Sequence, residues 1–256
     1  MCNLKVAAQL YTIRDYTKTV KGIETSLKKI ADMGYKAVQV SGMGPIEPKL
    51  LKNITNDLGL TICATHIPFE RMEDDIDSVI NEHQLWECKY VGIGSMPQKY
   101  RGDLDGIKEF TRKASEISRI LSESGLRLIY HNHAFEFSKL DGKAIIDILF
   151  EETDRNFDFE LDTYWIQAGG ANPVDWIYKV KGRMDVVHFK DMVGSLDNTH
   201  KMAEVGEGNL NWPDIIRACR DTDVKWCAVE QDICERSPFD SLEMSLNNLK
   251  KLGLES

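Results

Sequence analysis

Acidic and basic side chains alternate with apolar residues in several short segments of this sequence. Glu160 and Asp162 are separated by Leu161 alone. His188 and Lys190 have the same spacing further along the chain. Side chains at alternate positions of a β-strand point to one face, so each segment predicts a strand with one polar and one apolar face. The other predicted strand ends carry polar residues at Gln9, His66, His131, His133, Glu230 and Asp232.

These polar positions combine donor types that a divalent metal prefers. Four of the six histidines lie at predicted strand ends, together with Glu136, Asp162 and Glu230. Carboxylate and imidazole ligands suit Mn²⁺, Mg²⁺, Co²⁺ or Zn²⁺. The alternative is that the carboxylates pair with interior cations such as Arg127 or Lys190. We therefore predict a divalent-metal site, with internal ion pairing as the rival interpretation.

The cysteines are not expected to bind this metal. They are scattered along the chain without a C-x-x-C pair, which predicts reduced thiols rather than disulfides or a structural zinc site. The six residues are Cys2, Cys63, Cys88, Cys219, Cys227 and Cys234.

The elements that must position these strand ends follow a regular order. Strands are predicted at 6–10, 37–40, 61–65, 90–94, 126–131, 157–161, 186–189 and 226–230. Helices are predicted at about 20–34, 47–58, 74–87, 104–124, 142–152, 173–181, 212–221 and 241–252. Alternating strands and helices with short loops imply a parallel sheet. Eight such units in a chain of about 250 residues favour one closed α/β barrel, a (β/α)8 TIM barrel over residues 1–256.

The composition limits the partners. The chain has 32 Lys and Arg against 41 Asp and Glu, a formal net charge of -9, which disfavours binding to nucleic acid. No apolar run approaches the roughly 18 residues of a membrane-spanning helix, and no signal peptide is recognisable. We expect a cytoplasmic protein without membrane contact, although a removed leader would leave export open.

Six motifs in this order resemble the sugar isomerase and epimerase group of xylose isomerase-like TIM barrels, over the whole chain. The motifs are 9–15 (QLYTIRD), 130–137 (YHNHAFEF), 161–163 (LDT), 187–191 (VHFKD), 206–208 (GEG) and 229–232 (VEQD). The resemblance implies a divalent metal held by a Glu near the fifth strand and by Asp162, His188 and Glu230. It also implies a small carbohydrate substrate and possible homo-oligomers.

The fifth-strand motif departs from the ketose epimerases of this group. Those proteins have a Glu within the strand, where this chain has Tyr130 and His131. The Tyr-His-Asn-His sequence is similar to the branch that includes inosose dehydratase and sugar deglycosylation lyases. Glu136 is then the expected fourth metal ligand, with His131 or His133 as the fallback.

The implied activity is a metal-dependent sugar isomerase or epimerase that acts on a carbonyl compound through an enediolate. The catalytic candidates are Glu136, His133, Glu230 and Lys190. The candidates for substrate binding are Gln9, His66, His131 and Glu207, with aromatic faces from Tyr11, Phe69 and Trp165.

Three alternative functions remain open from the sequence. The first is a metal-dependent dehydratase or lyase acting on a keto-inositol or a 3-keto-glycoside, in which His133, His66 or Lys190 serves as the general acid. The second is a non-catalytic sugar-binding barrel. The third is an endonuclease IV-like DNA repair enzyme, which the acidic composition disfavours.

Overall fold

Eight parallel strands close into a barrel in the computed structural model, which describes residues 4–255. They are β1 (Lys5–Gln9), β2 (Ala37–Val40), β3 (Thr61–His66), β4 (Tyr90–Ile93), β5 (Arg127–His131), β6 (Phe157–Asp162), β7 (Val186–Phe189) and β8 (Trp226–Val229). Each strand pairs with its neighbours in sequence, and β8 pairs with β1. The predicted (β/α)8 fold is therefore confirmed.

The barrel interior has two layers that follow from the two-residue alternation of strand side chains. The lower layer is a separate cluster of buried residues, mostly small or apolar: Ala7, Ala37, Cys63, Ala64, Tyr90, Ile129, Val186 and Ala228. Further toward the C-terminal ends of the strands the corresponding positions are polar: Gln9, Gln39, His66, His131, Glu160, His188 and Glu230. The opposite strand faces pack on the helices and form the larger apolar core.

The helices surround the barrel and alternate with its strands. They are α1 (Val20–Met33), α2 (Pro48–Asp57), α3 (Phe69–Asp74), α4 (Ile76–Trp86), α5 (Leu104–Glu123), α6 (Ile145–Glu152), α7 (Thr163–Ala168), α8 (Pro173–Lys179), α9 (Trp212–Asp221) and α10 (Pro238–Lys251). Gly34, Gly59 and Gly125 have positive φ after their helices, as predicted from sequence. Across residues 4–255, no helix is both long enough and apolar enough to span a membrane.

Several short elements at the C-terminal ends of the strands were not predicted. Helices α3 and α7 directly follow β3 and β6, and bring Phe69 and Trp165 to that end of the barrel. A two-stranded antiparallel hairpin, Asp191–Gly194 with His200–Ala203, follows β7. These segments are too short to have a clear periodicity, so strand and helix patterns in the sequence do not reveal them.

A buried carboxylate fixes the loop after this hairpin. Asp191 accepts hydrogen bonds from the backbone N–H groups of Gly206, Gly208 and Leu210, and from the indole Nε1 of Trp212. A Cβ at Gly208 would lie 2.4 Å from Asp191 Oδ1. The Gly-Glu-Gly motif therefore has a structural reason, because the loop must pass close to the carboxylate.

The cysteines of the described chain are free thiols, with Cys63, Cys88, Cys219 and Cys227 buried and Cys234 half-buried. Burial raises the pKa of each of these thiols, that of Cys88 to about 12. They are therefore uncharged at neutral pH. Cys2 lies outside the described residues.

Candidate active site

Four buried side chains converge at the C-terminal end of the barrel. His131 ends β5, Asp162 ends β6, His188 lies in β7 and Glu230 follows β8. One potential ligand atom from each lies within 4.8 Å of the others. His131 Nε2 is 3.2 Å from Asp162 Oδ2, and His188 Nδ1 is 2.9 Å from Glu230 Oε2. Two imidazoles and two carboxylates at this spacing fit a divalent cation.

Neighbouring groups orient the side chains of this cluster. His131 Nδ1 lies 3.1 Å from the carbonyl oxygen of Gly94, which is an acceptor only, so this nitrogen carries the hydrogen and Nε2 faces Asp162. Asp162 Oδ1 accepts a hydrogen bond from the backbone N–H of Trp165 at the start of α7. Its other oxygen, Oδ2, is directed toward His131. Such supporting hydrogen bonds are typical of protein metal sites.

Lys190 brings a positive charge to the same group. Its Nζ lies 3.0 Å from Asp162 Oδ2, 2.8 Å from Glu230 Oε2 and 2.9 Å from Asp232 Oδ2. Burial opposes the ammonium form, but these three carboxylates hold the pKa of Lys190 above its ordinary value. Lys190 therefore pairs with these carboxylates, as the interpretation of internal ion pairing predicts. Arg127 pairs instead with Asp158, at 2.8 Å.

The charges of the site are mutually dependent. Burial disfavours the imidazolium form of His188, but the carboxylates of Glu160 and Glu230 outweigh it and raise its pKa to about 10. Burial likewise opposes ionisation of Asp162 and Glu230, yet Lys190 and the neighbouring imidazoles hold the pKa values of both below the ordinary range. Both carboxylates are therefore ionised at neutral pH and available as ligands.

A second polar group lies beside this one in the barrel interior. Glu160 is completely buried and contacts His66 Nε2 at 2.5 Å and His188 Nε2 at 3.3 Å. Gln39 donates to Glu160 Oε1 at 2.8 Å, and its own Oε1 lies 2.8 Å from His188 Nε2. Burial opposes ionisation of Glu160, but His188 and His66 more than offset it and lower its pKa.

A cavity of about 770 Å³ opens above these groups. His66, His131, His133 and Glu230 line it, and so do the predicted aromatic residues: Tyr11, Phe69 and Trp165. Its size lies within the range of small-molecule sites, about 300–1,000 Å³. The cavity can therefore hold a small polar molecule next to the buried cluster.

Two arginines in the cavity wall are occupied by the protein itself. Arg14 donates to the carbonyl oxygens of Tyr11 and Asp232. Arg101 donates to the carbonyl oxygen of Met96 and to Ser95 Oγ. Both guanidinium groups therefore hold the loops of the cavity wall in place.

His133 lies in the cavity wall between His131 and Trp165, with ring centroids 4.9 and 5.3 Å away. Burial, reinforced by His131, lowers its pKa to about 3. Its Nδ1 is buried and has no partner within the described chain. A neutral imidazole at this position can accept or donate one hydrogen bond to a molecule in the cavity.

Glu136 is not brought to the cluster of His131, Asp162, His188 and Glu230, contrary to our first expectation from sequence. It lies in a short 3₁₀ turn after β5, completely buried, where it accepts hydrogen bonds from the Tyr130 hydroxyl and the His133 backbone N–H. Tyr130 packs among Phe110 and Phe157, between the strands and the helices. Burial raises the pKa of Glu136 to about 8. His131, named as the fallback, lies in the group instead.

Two residues expected to bind substrate lie elsewhere. Glu207 is exposed and accepts a hydrogen bond from Asn248 of α10, so it does not line the cavity. Gln9 is completely buried below the cavity, and its Oε1 accepts from the backbone N–H of Tyr11. Its Nε2 has no partner in the part of the chain that the structure describes.

Gln39 and Glu160 are site residues to which the sequence analysis assigned no role. Glu160 was placed on the polar face of its strand, whereas Gln39 was not singled out. The available signal was alternation, because Gln39 follows Ala37 on the inward face of β2.

Comparisons with known proteins agree with this architecture. The family model described as "Xylose isomerase-like TIM barrel" matches residues 27–252. An inosose dehydratase of Clostridium botulinum is 22% identical over 190 residues, which are 66% of this chain and 63% of that protein. The match thus spans less than two thirds of that relative's length.

Solved structures resemble the whole barrel. A sugar phosphate isomerase/epimerase from Parabacteroides distasonis superposes with a TM-score of 0.81 at 22% identity, covering 99% of this chain and 96% of that one. A probable 3-DHS dehydratase from Bacillus anthracis gives a TM-score of 0.75 at 16% identity, covering 96% and 99%. At these identities the structural likeness concerns the fold.

Proposed function

This chain belongs to the xylose isomerase-like TIM barrel family, and from that premise we propose that it is a metal-dependent carbon–oxygen lyase acting on a small carbohydrate or cyclic polyol that carries a carbonyl group. His131, Asp162, His188 and Glu230 hold the divalent cation. The observation that carries the proposal is the acid–base set of the cavity, in which His66 and His133 line the wall while Glu136 is turned away.

The acid–base set supports elimination over epimerisation. Epimerisation through an enediolate uses two carboxylates on opposite faces of the substrate, one to remove the proton and one to return it. Here Asp162 and Glu230 are bound to Lys190, and Glu136 is bound to Tyr130. A β-elimination needs one base for the proton beside the carbonyl and one acid for the leaving oxygen. A single imidazole can do both in turn.

His66 fits this role best. Its Nε2 is bound to Glu160, and its Nδ1 lies 3.4 Å from Ser41 Oγ in the cavity wall. Burial lowers the pKa of His66, so the ring is neutral and able to accept a proton. It takes the proton from the carbon beside the carbonyl and returns it to the departing hydroxyl, which leaves as water. His66 therefore ends the reaction in its starting protonation state.

The metal and the lysine support the same step. A divalent cation, when bound, polarises a carbonyl oxygen and makes the adjacent C–H more acidic. Lys190 adds a buried positive charge beside the ligands, which favours the enolate that forms as the proton leaves. Tyr11, Phe69 and Trp165 provide apolar surfaces for a sugar or inositol ring.

The test is a product assay with a keto-inositol and with a 3-keto-glycoside in the presence of Mn²⁺. We expect a product lighter by one molecule of water or alcohol, and loss of turnover with a chelator. His66→Ala should lower kcat by roughly 10²- to 10⁴-fold while Mn²⁺ affinity is kept. Turnover indifferent both to chelator and to His131→Ala would contradict the proposal.

An isomerase or epimerase is the second candidate, as first predicted from the sequence. The observation in its favour is that Glu230 lines the cavity and is a carboxylate within reach of a bound molecule. Deuterated solvent separates the two reactions. Epimerisation gives a product of unchanged formula with deuterium on carbon, whereas elimination changes the formula.

A further inference from the structure

A buried amide and carboxylate lie beside the candidate metal ligands. We propose that Gln39 and Glu160 are positioning residues that fix a single hydrogen-bonding state at two histidines, His188 for the metal and His66 for the substrate. This inference rests on the proposed metal site at His131, Asp162, His188 and Glu230.

The orientation of Gln39 follows from its two contacts. An ionised carboxylate only accepts hydrogen bonds, so the Gln39 atom that lies 2.8 Å from Glu160 Oε1 must be the Nε2 amide donor. The amide oxygen then faces His188 Nε2 at 2.8 Å. Reversing the amide would place two acceptors against each other.

His188 is fixed by this arrangement. Its Nε2 faces two acceptors, Gln39 Oε1 at 2.8 Å and Glu160 Oε2 at 3.3 Å, so the hydrogen stays on Nε2. Nδ1 lies 2.9 Å from Glu230 Oε2 within the metal-binding group, so it is the nitrogen that a cation would take, displacing the hydrogen that Nδ1 shares with Glu230. A metal ligand needs this assignment of the two ring nitrogens.

His66 is fixed by the same carboxylate oxygen. Glu160 Oε2 lies 2.5 Å from His66 Nε2, which must therefore be the donor. The lone pair of the neutral ring is then on Nδ1, next to Ser41 in the cavity wall. One carboxylate thus prepares one histidine for the cation and the other for the substrate.

A second cation at this position is the competing interpretation. His66, Glu160 and His188 also have ligand atoms within 4.8 Å of one another. The Gln39 amide, however, already donates a hydrogen bond to Glu160 Oε1, so this carboxylate is satisfied without a cation. Calorimetry with Mn²⁺ alone therefore tests the inference directly, with an expected stoichiometry of one cation per chain.

The decisive variant is Gln39→Met, which keeps the side-chain volume but removes both hydrogen bonds. Affinity for Mn²⁺ should fall about 10- to 100-fold, the usual effect of losing a residue that orients a metal ligand. Glu160→Gln should weaken Mn²⁺ binding and also lower kcat at saturating metal, because Glu160 contacts both His188 and His66. The loss of kcat should be larger in Glu160→Gln than in Gln39→Met, because Glu160 contacts His66 directly whereas Gln39 contacts Glu160.

Thr65→Val is the matched control, since Thr65 precedes His66 but binds His83 on the helix side of β3. Its Mn²⁺ affinity should match wild type, and thermal unfolding shows whether each variant folds. In the Zn²⁺-loaded wild type, ¹⁵N–¹H spectra should place the His188 and His66 hydrogens on Nε2. Wild-type Mn²⁺ affinity in both Gln39→Met and Glu160→Gln would overturn the inference. So would a second bound Mn²⁺ that is lost in His66→Ala. Failure of the wild type itself to bind Mn²⁺ would instead contradict the proposed function.

Discussion

At the scale of single residues, His131 and Glu136 differ in which side of the strand layer they face. His131 points into the barrel and reaches Asp162, whereas Tyr130 points toward the helices. The chain after β5 then turns so that Glu136 binds the Tyr130 hydroxyl. The direction of two adjacent side chains therefore places His131, and not Glu136, next to the other proposed metal ligands.

This difference gives a direct prediction about metal binding. His131→Ala should weaken Mn²⁺ binding by more than about 100-fold, because it removes a ligand rather than a supporting group. Glu136→Gln should leave the affinity within about twofold, since the neutral amide replaces a carboxyl group whose pKa is already raised to about 8. Calorimetry on both variants makes the comparison. The reverse order of effects would return Glu136 to the ligand set.

His83 gives a prediction about pH. It is completely buried in α4, bound to Thr65 Oγ1 and to the Val79 carbonyl oxygen, and burial lowers its pKa to about 4. The unfolded chain takes up this proton near pH 6.5. Between these values the unfolded state binds more protons, so the free energy of unfolding decreases as the pH falls, by up to about 3 kcal/mol.

Denaturant unfolding at several pH values measures the effect. His83→Gln should lose less stability than wild type between pH 6.5 and pH 4, because it cannot take up the proton. His200→Gln is the control, since His200 is exposed, and it should follow wild type. Parallel curves for His83→Gln and wild type would show that His83 does not titrate in this way.

At the scale of elements, β4 makes room for the neighbouring strand. A Cβ at Gly92 would lie 2.2 Å from the Thr65 carbonyl oxygen, and one at Gly94 would lie 2.9 Å from His66 Nδ1. The Gly94 carbonyl also accepts from His131. The absence of side chains at these positions lets β4 and the residue that follows it hold both histidine rings close.

Gly94→Ala should therefore disturb activity more than stability. The new methyl group meets the imidazole ring of His66 rather than backbone, so the ring can rotate away at a cost of about 0.5–1.5 kcal/mol. Misplacement of a reacting group should lower kcat/KM by roughly 10- to 100-fold. Gly102→Ala, where a Cβ meets nothing within 4 Å, is the matched control. Equal activity in the two variants would contradict this role for β4.

The sequence predicts the strands better than the side-chain contacts, and the reason is physical. Alternation of polar and apolar residues locates the strand ends, and thereby Asp162, His188 and Glu230. The turn that carries Glu136 to Tyr130 depends on loop conformation and tertiary packing, which no periodicity encodes. The pairing of Lys190 with Asp162 likewise requires knowledge of which strands are neighbours.

At the scale of the whole molecule, the barrel interior balances its charges with its own side chains. Asp162, Glu230 and Asp232 share the ammonium group of Lys190. His188, with its raised pKa, adds a second positive charge. Unpaired buried carboxylates would be costly, so these cations allow the chain to fold without a metal.

Metal removal should consequently lower stability without unfolding the protein. A cation present at 100 times its Kd stabilises the folded state by about 2.7 kcal/mol, which corresponds to roughly 5–10 °C in Tm for a chain of this size. Calorimetric scans with Mn²⁺ and with a chelator measure the shift. Asp162→Asn should abolish the difference between the two conditions. An equal shift in this variant would place the stabilising cation elsewhere.

The proposed ligands all come from the second half of the barrel, in or directly after β5, β6, β7 and β8. Much of the cavity wall comes from the first half, including Tyr11, Ser41, His66 and Phe69. Loops that follow β1 to β4 can therefore be exchanged or randomised without replacing a metal ligand. Directed evolution toward new substrates can start from these loops, provided that Gln39, His66 and Gly94 are kept.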